Sequence, residues 1–535
     1  SMLIAPRHSP SHQILGPAIS EAAEPRCSTP SAIKLPDTLA GLRRRLARQF
    51  HRYTAEVNFD GSTPADATAR ECVVLFFVAL PLVLLSLFGC ASMGPAYEGG
   101  RKNILNDGQQ YTLAAIEFGE LGSYADPCKY ELYNTIQLLK RTERPLLVVY
   151  IHGWLNNATS GDVWKFKGFL SRLSQSRQVK INHYNVFGVY FAWPGETLEV
   201  PYLEYLTFWN RKQAAERIAS NGDCLDAIEQ LSEAARLHQN NYVFLIGHSF
   251  GGLILERTVE HTLRTLQGQK VKPPWDLALM LNPASDSVLA RQLVSDLYNL
   301  YSYDPNPVPG NPLNWGGQFV PKSGGTPIAE SQPTVVELQS ENDTATGTVF
   351  PIGSKVGVLV DGHWSWNQVA VPRTRQVVSE RDFYLSTPGN DTYLVNYEIV
   401  PTSGTFSGDW DAFDYNLGNN PVGGIFFTSA PRDSETAAEA GRQSRPAATG
   451  PKTQPQAWQL RFVPDHDKYI GVHVPFWIVR VPSEIIDNHG GIWSDNNMAL
   501  MAAIFRMHRP ILQNNVIAPA KSYVLPWPVG LKQKQ

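Results

Sequence analysis

The chain predicts an α/β fold, a doubly wound and mostly parallel sheet, and three observations carry that expectation. Apolar runs of strand length, Pro145 to His152, Asn185 to Trp193, Tyr242 to Ile246, Asp276 to Leu281 and Thr334 to Ser340, alternate with segments of helical periodicity. Within these runs hydrophobicity is close to continuous rather than alternating, as a strand buried on both faces requires. Consecutive parallel strands also need a crossover, which the intervening helices would supply. The third observation is the pattern Gly247-x-Ser249-x-Gly251, placed where the Tyr242 run stops and an apolar-periodic helix begins.

The elements follow in order. At 535 residues and 43% apolar content the chain can bury a core, as one large domain with insertions or as two domains. A net charge of −3 without a long basic block speaks against nucleic acid as a partner. Residues 1–72, rich in Pro, Ser, Ala and Arg, read as a disordered or non-native extension with one short helix around Leu39 to Phe50. Val73 to Cys90 is then eighteen residues without a charge, a signal or transmembrane segment rather than a core element.

Leu87-Phe88-Gly89-Cys90 followed by Ala91-Ser92 resembles the bacterial lipobox. That resemblance implies that Cys90 is lipidated and becomes the mature N-terminus, anchored in the bacterial cell envelope on the periplasmic or outer-membrane side. A signal peptide normally occupies roughly the first 15 to 30 residues, whereas about 70 precede this run. Two readings stand: a later translational start, or a signal anchor with Arg43, Arg44, Arg45, Arg48 and Arg52 on the cytoplasmic side. Both put the rest of the chain outside the cytoplasm. Beyond Cys90, Cys128 and Cys224 form either one disulfide or two free thiols, and no cysteine spacing resembles a metal site.

Tyr111 to Phe118 reads as a strand and Lys129 to Thr142 as a helix, leading to the Pro145 strand and the turn His152-Gly153-Trp154. Gly161 to Ser174 is expected to be helical. After the Asn185 strand, Glu196 to Asn210 is crowded with Tyr202, Tyr205, Phe208 and Trp209, read either as core packing or as the wall of an apolar pocket. Arg211 to His238 reads as one long helix. At the elbow, Gly247 and Gly251 let strand and helix pass closely, so Ser249 is expected to stand exposed at a helix N-terminus where developing negative charge is favoured.

The next helix runs from Ser287 to about Leu300, and Tyr303 to Gly325 must be loop because of its Pro, Gly and Asn content. Phe350 to about Pro475 reads as an insertion or cap, with short strands at Phe383-Tyr384-Leu385 and Tyr393 to Val400, and residues 429–456 disordered. Phe476 to Pro482 is the last strand, His489-Gly490-Gly491 a loop, and Asp495 to Phe505 a helix. The tail from Pro510 to Gln535 is expected to pack loosely.

On these residues, His152-Gly153, Gly247-His248-Ser249-Phe250-Gly251-Gly252 and Ser340-Glu341-Asn342-Asp343, the stretch from Pro145 to Thr346 resembles the core of the α/β-hydrolase superfamily. The resemblance implies a serine nucleophile at Ser249, an acid at Asp343 and, later in the chain, a histidine base. It also implies that the amides of Phe250 and Trp154 line an oxyanion hole, with His152, Gly153, Gly247 and Gly251 supporting the motif. Among His363, His466, His473, His489 and His508, His489 is preferred because it follows the last strand, and His363 is second. Asp286 and Asp487 are rivals to Asp343.

The implied activity is cofactor-free, metal-free hydrolysis of carboxylic esters, lipid or acyl esters included, through an acyl-enzyme. Two other readings share the fold: an inactive membrane-anchored binding or scaffold protein, and an acyltransferase.

Overall fold

The structure, a computed structural model, describes residues 104–105, 111–126, 129–196, 207–238, 241–267, 273–306, 317–324, 326–330, 332–351, 353–354, 367–370, 377–402, 426–428, 457–463 and 474–508. Expectations for residues 1–72, the Val73 to Cys90 segment with Cys90, residues 429–456 and the tail from Pro510 lie outside the described residues. Among the described residues no helix is long and apolar enough to cross a membrane.

The strands, in chain order, are β1 (Ile104–Leu105), β2 (Tyr111–Glu117), β3 (Pro145–Ile151), β4 (Asn185–Ala192), β5 (Tyr242–His248), β6 (Leu277–Leu281), β7 (Tyr301–Asp304), β8 (Gln318–Pro321), β9 (Ile328–Ala329) and β10 (Val335–Ser340). Then come β11 (Gln368–Ala370), β12 (Val377–Ser379), β13 (Tyr397–Thr402), β14 (Phe426–Thr428), β15 (Ala457–Phe462) and β16 (Phe476–Val481). The longer helices are α1 (Tyr130–Leu139), α2 (Gly161–Gln175), α3 (Phe208–Ser220), α4 (Asp223–Arg236), α5 (Phe250–Thr265), α6 (Ser287–Leu300) and α7 (Asp495–Met507).

One sheet of 11 strands, in the order β1-β2-β4-β3-β5-β6-β10-β16-β13-β15-β14, organises the molecule. From β2 through β13 every neighbouring pair is parallel, and antiparallel strands close both edges. Continuous hydrophobicity finds its cause here. In β3, Leu147, Val149 and Ile151 enter the core on one face while Leu146, Val148 and Tyr150 enter the core on the other. Helices α1, α3, α4, α5 and α6 cover the first face, and α2 and α7 the second. Neither face of the central strands meets water, so apolar residues were needed at every position.

Four expectations need correction. Arg211 to His238 is not one helix: α3 ends at Ser220 and α4 starts at Asp223, with Gly222 between them at φ +88. Helical apolar periodicity continues across the break, but the left-handed glycine redirects the backbone so that both helices bury their apolar stripes on the same face of the sheet. Residues 303–325 are not all loop, since β7, β8 and β9 pair as a small antiparallel sheet. Phe383-Tyr384 belongs to a short helix, Glu380–Tyr384, that buries Phe383. The described part of the insertion does not stand apart as a cap either: β13 pairs with β16 and carries β15 and β14 outward from it. Unpaired main-chain groups on the edge of β16 are thereby satisfied by the insertion itself.

Candidate active site

Because all central strands run the same way, their carboxyl ends gather at one edge, and the loops after β3, β5, β10 and β16 emerge side by side there. β5 delivers Ser249 in a strained backbone conformation, φ +55 and ψ −120, as the residue immediately before α5. Such a conformation holds only when the surroundings determine it. Here the Ser249 N–H donates to the Leu281 carbonyl at 3.1 Å, and its own carbonyl accepts from Ala284 N at 3.0 Å and Leu253 N at 3.1 Å.

The glycines of the elbow answer to close approach. A Cβ on Gly247 would lie 2.5 Å from the Gly251 carbonyl oxygen, one on Gly251 2.1 Å from that of Ile151, and one on Gly252 2.8 Å from Pro283. Any side chain would push α5 off the sheet.

Ser249 Oγ lies 2.8 Å from His489 Nε2, and His489 Nδ1 lies 2.8 Å from Asp343 Oδ2. The three side chains come from positions 249, 343 and 489 on three different loops. With the carboxylate as partner, Nδ1 carries the hydrogen and Nε2 presents its lone pair to the serine hydroxyl. Ser249, expected to stand exposed, is instead buried, with only 4% of its surface accessible. His489 covers it from one side, and the loop after β3 presses on it from another, where a Cβ on Gly153 would meet Ser249 Cβ at 2.8 Å.

Asp343 accepts more than the imidazole. Oδ2 also takes Thr346 Oγ1 at 2.7 Å and Gln339 Nε2 at 3.1 Å, while Oδ1 takes the amides of Ala345 at 2.9 Å and Thr346 at 3.2 Å. Burial pushes this carboxyl's pKa up, but the hydrogen bond and charge of His489 with the Thr346 bonds outweigh it and hold Asp343 below its ordinary value. The arrangement thus keeps a carboxylate ionised in a desolvated place, aimed at an imidazole.

Acid and base loops are stitched together by two asparagines. Asn342 Oδ1 accepts from Asn488 N at 2.7 Å and from Ser340 Oγ at 2.7 Å, its Nδ2 donates to Asp487 at 2.9 Å, and Asn488 Oδ1 accepts from His489 N at 2.8 Å. Asp487, a rival acid on sequence, is occupied in this stitching. Asp286, the other rival, accepts from Leu289 N at 3.2 Å and caps α6. The amide nitrogens of all three N-x-S/T asparagines, Asn157, Asn342 and Asn390, are likewise engaged in internal hydrogen bonds.

The expected oxyanion positions come together in part. Phe250 heads α5, so its N–H has no partner within the helix, and the chain at Gly153-Trp154 abuts Ser249, with the rings of Trp154 and Phe250 6.1 Å apart. His152 is fully buried, stacked against Trp193 and Tyr190 at 5.5 and 5.4 Å. Its Nδ1 donates to the Gly153 carbonyl at 2.8 Å and its Nε2 accepts from Trp193 N at 3.0 Å. Burial lowers its pKa to about 4, so it stays neutral and serves to shape the loop.

No family model matches this chain, and no curated protein does. Among solved structures it is similar to the phospholipase PlaB from Legionella pneumophila in complex with thio-NAD. The identity is 12%, with 63% of this chain and 93% of that chain covered, at a TM-score of 0.18.

Of the other histidine candidates, His508 is described, and it does not join the cluster. His508 is half-buried, its ring 6.3 Å from that of Phe244 near the start of β5, and desolvation lowers its pKa to about 3. His363, His466, His473 and Cys128 lie outside the described residues. Cys224 is a free thiol, fully buried in the core and pushed up to about 12. Among the described residues no group of three or more His, Cys, Asp or Glu side chains is gathered to hold a metal.

Sequence reasoning missed Gln339, Thr346, Asn282 and His248. The signal for the first two was faint: polar residues at the end of the strand that precedes Asp343 or within one turn after it.

Proposed function

We propose that this chain is a serine hydrolase of the α/β-hydrolase type that cleaves carboxylic esters. The observation that carries the reading is the unbroken sequence of contacts Ser249 Oγ, His489 Nε2, His489 Nδ1 and Asp343 Oδ2, each step 2.8 Å. Ser249 Oγ bonds to the ester carbonyl carbon as its proton passes to His489 Nε2. The carbonyl π electrons move to oxygen, where the amides of Phe250 and Trp154 stabilise the charge. Collapse breaks the bond to the alkoxy oxygen, which leaves as an alcohol with that proton, and water then repeats the cycle to release the acid. Asp343 keeps Nδ1 protonated and stabilises the imidazolium.

The substrate class we propose is an acyl or lipid ester. Trp154, Phe208 and Phe250 form an aromatic cluster beside the nucleophile, with Trp154 and Phe208 rings 5.6 Å apart and Phe208 and Phe250 5.2 Å apart. Lipidation of Cys90 at the cell envelope belongs to the same proposal, and the mass of the mature N-terminal peptide checks it.

A fluorophosphonate probe and a panel of p-nitrophenyl esters of graded chain length test the chemistry. Wild type is expected to label and turn over, with Ser249→Ala losing the label and roughly 10³-fold or more in rate. Folded protein that neither labels nor hydrolyses would favour the scaffold reading, and products carrying the acyl group on an added alcohol would favour acyl transfer.

A further inference from the structure

His489, itself half-buried, is carried on an exposed loop. Its neighbours Asp487, Asn488 and Gly490 are exposed, and Asn488 takes φ +56. A loop of that kind does not by itself hold an imidazole within 2.8 Å of two partners at once.

What fixes it comes from below. The main-chain carbonyl of His489 accepts two hydrogen bonds, from His248 Nε2 at 3.1 Å and from Asn282 Nδ2 at 3.0 Å. The Asn282 amide also reaches the Asn488 carbonyl at 3.2 Å. Both donors are rigidly mounted. His248 is the last residue of β5, directly before Ser249, 7% exposed, with its ring 5.0 Å from that of His489. Its Nδ1 has no partner and faces Gly153, so the hydrogen resides on Nε2, where there is an acceptor.

Asn282 is fully buried at the end of β6 with φ +44. Its N–H donates to the Leu338 carbonyl at 2.8 Å, and its Oδ1 accepts from Ser340 N at 2.8 Å. One side-chain amide therefore joins the ends of β6 and β10 to the loop after β16.

We infer that His248 and Asn282 form a two-donor clamp on the His489 carbonyl that positions the imidazole between Ser249 and Asp343. Neither touches the reacting atoms, and both act through His489. The inference rests on the hydrolase reading, and it assigns to His248 a role distinct from filling space at the elbow. If the clamp works through a hydrogen bond, a glutamine at 248, whose amide nitrogen reaches about where imidazole Nε2 sits, substitutes for it. An asparagine, one bond shorter, does not. If the stacked ring were what matters, phenylalanine would substitute and glutamine would fail.

The test compares wild type with His248→Gln, His248→Asn, His248→Phe and Asn282→Asp, the last keeping an acceptor for Ser340 N–H while removing both donors. Each is measured for kcat and KM on a p-nitrophenyl ester, for the rate of fluorophosphonate labelling, and for thermal unfolding. His248→Asn, His248→Phe and Asn282→Asp are expected to lose on the order of 10- to 100-fold in kcat and in labelling rate, with KM within about twofold. His248→Gln is expected to recover most of that loss. Folded His248→Phe matching wild type, or His248→Gln no better than His248→Asn, would overturn the clamp. Should the His248 variants unfold, Asn282→Asp decides, a wild-type kcat there overturning the inference as well. Wild type inert to both probe and ester would instead bring down the hydrolase reading itself.

Discussion

At the scale of single residues, the decisive feature is how thoroughly Asp343 is provided with donors. A buried carboxylate with a single partner would be costly, and one with five stays ionised. Asp343→Asn is expected to cost roughly 10³- to 10⁴-fold in kcat, because the amide cannot enforce the Nδ1–H tautomer. Thr346→Val tests the support. Asp343 sits below its ordinary pKa, so the stability it contributes is complete above that ordinary value and is lost as pH falls through the depressed one. Removing the Thr346 hydroxyl raises the folded-state pKa, and the acid loss of Tm is expected to begin at higher pH in Thr346→Val than in wild type.

At the scale of elements, two glycines separate conformational from steric demand. Gly222, between α3 and α4, takes φ +88 with open space around the position of a Cβ. Gly222→Ala is therefore expected to cost only about 1 kcal/mol, the penalty of a left-handed conformation in an L residue. Gly251 has ordinary backbone angles but would place a Cβ 2.1 Å from the Ile151 carbonyl oxygen. Gly251→Ala must separate α5 from β3, and a loss of about 3 kcal/mol or more, or failure to fold, is expected. Urea unfolding of both variants checks the contrast. Reversal of the order would mean that α5 moves freely on the sheet.

Across the whole molecule, the first face of the sheet hides ionisable groups that the proposed chemistry does not use. Glu256 on α5 is fully buried, with one oxygen on Ser285 and the other unpartnered, and burial raises its pKa from 4.5 to about 8. Glu337 on β10 is raised as well by burial and by Glu256, though it accepts from Gly389 N at 3.0 Å. Raised acids bind protons more tightly folded than unfolded, so their contribution to stability is full below about 4.5 and is lost as pH rises toward about 8. Glu256→Gln removes one such group. Its Tm is expected to exceed that of wild type at pH 8 and to match it at pH 5, as measured by thermal melts in the two buffers. A lower Tm at both would show that the carboxyl is needed in its ionised form.

Much of this architecture was legible in the sequence, and the reason is local. A strand buried on both faces must be apolar throughout, so β3, β4, β5, β6, β10 and β16 announced themselves within a few residues of their observed limits. The elbow was legible because steric exclusion at Gly247 and Gly251 leaves so few residue types. The choice of Ser249, Asp343 and His489 followed from where each stands relative to its strand, and those are the three side chains the structure brings together.

Tertiary structure alone decided the rest. That Ser249 is buried beneath His489, that α3 and α4 part at Gly222, and that the described part of the long insertion adds strands to the sheet all depend on surfaces that meet from segments far apart in the sequence. Gln339, Asn282 and His248 gain their importance the same way. A polar residue at a strand end reads alike whether its amide faces water or a carbonyl from a distant loop, and only packing determines which acceptor it meets.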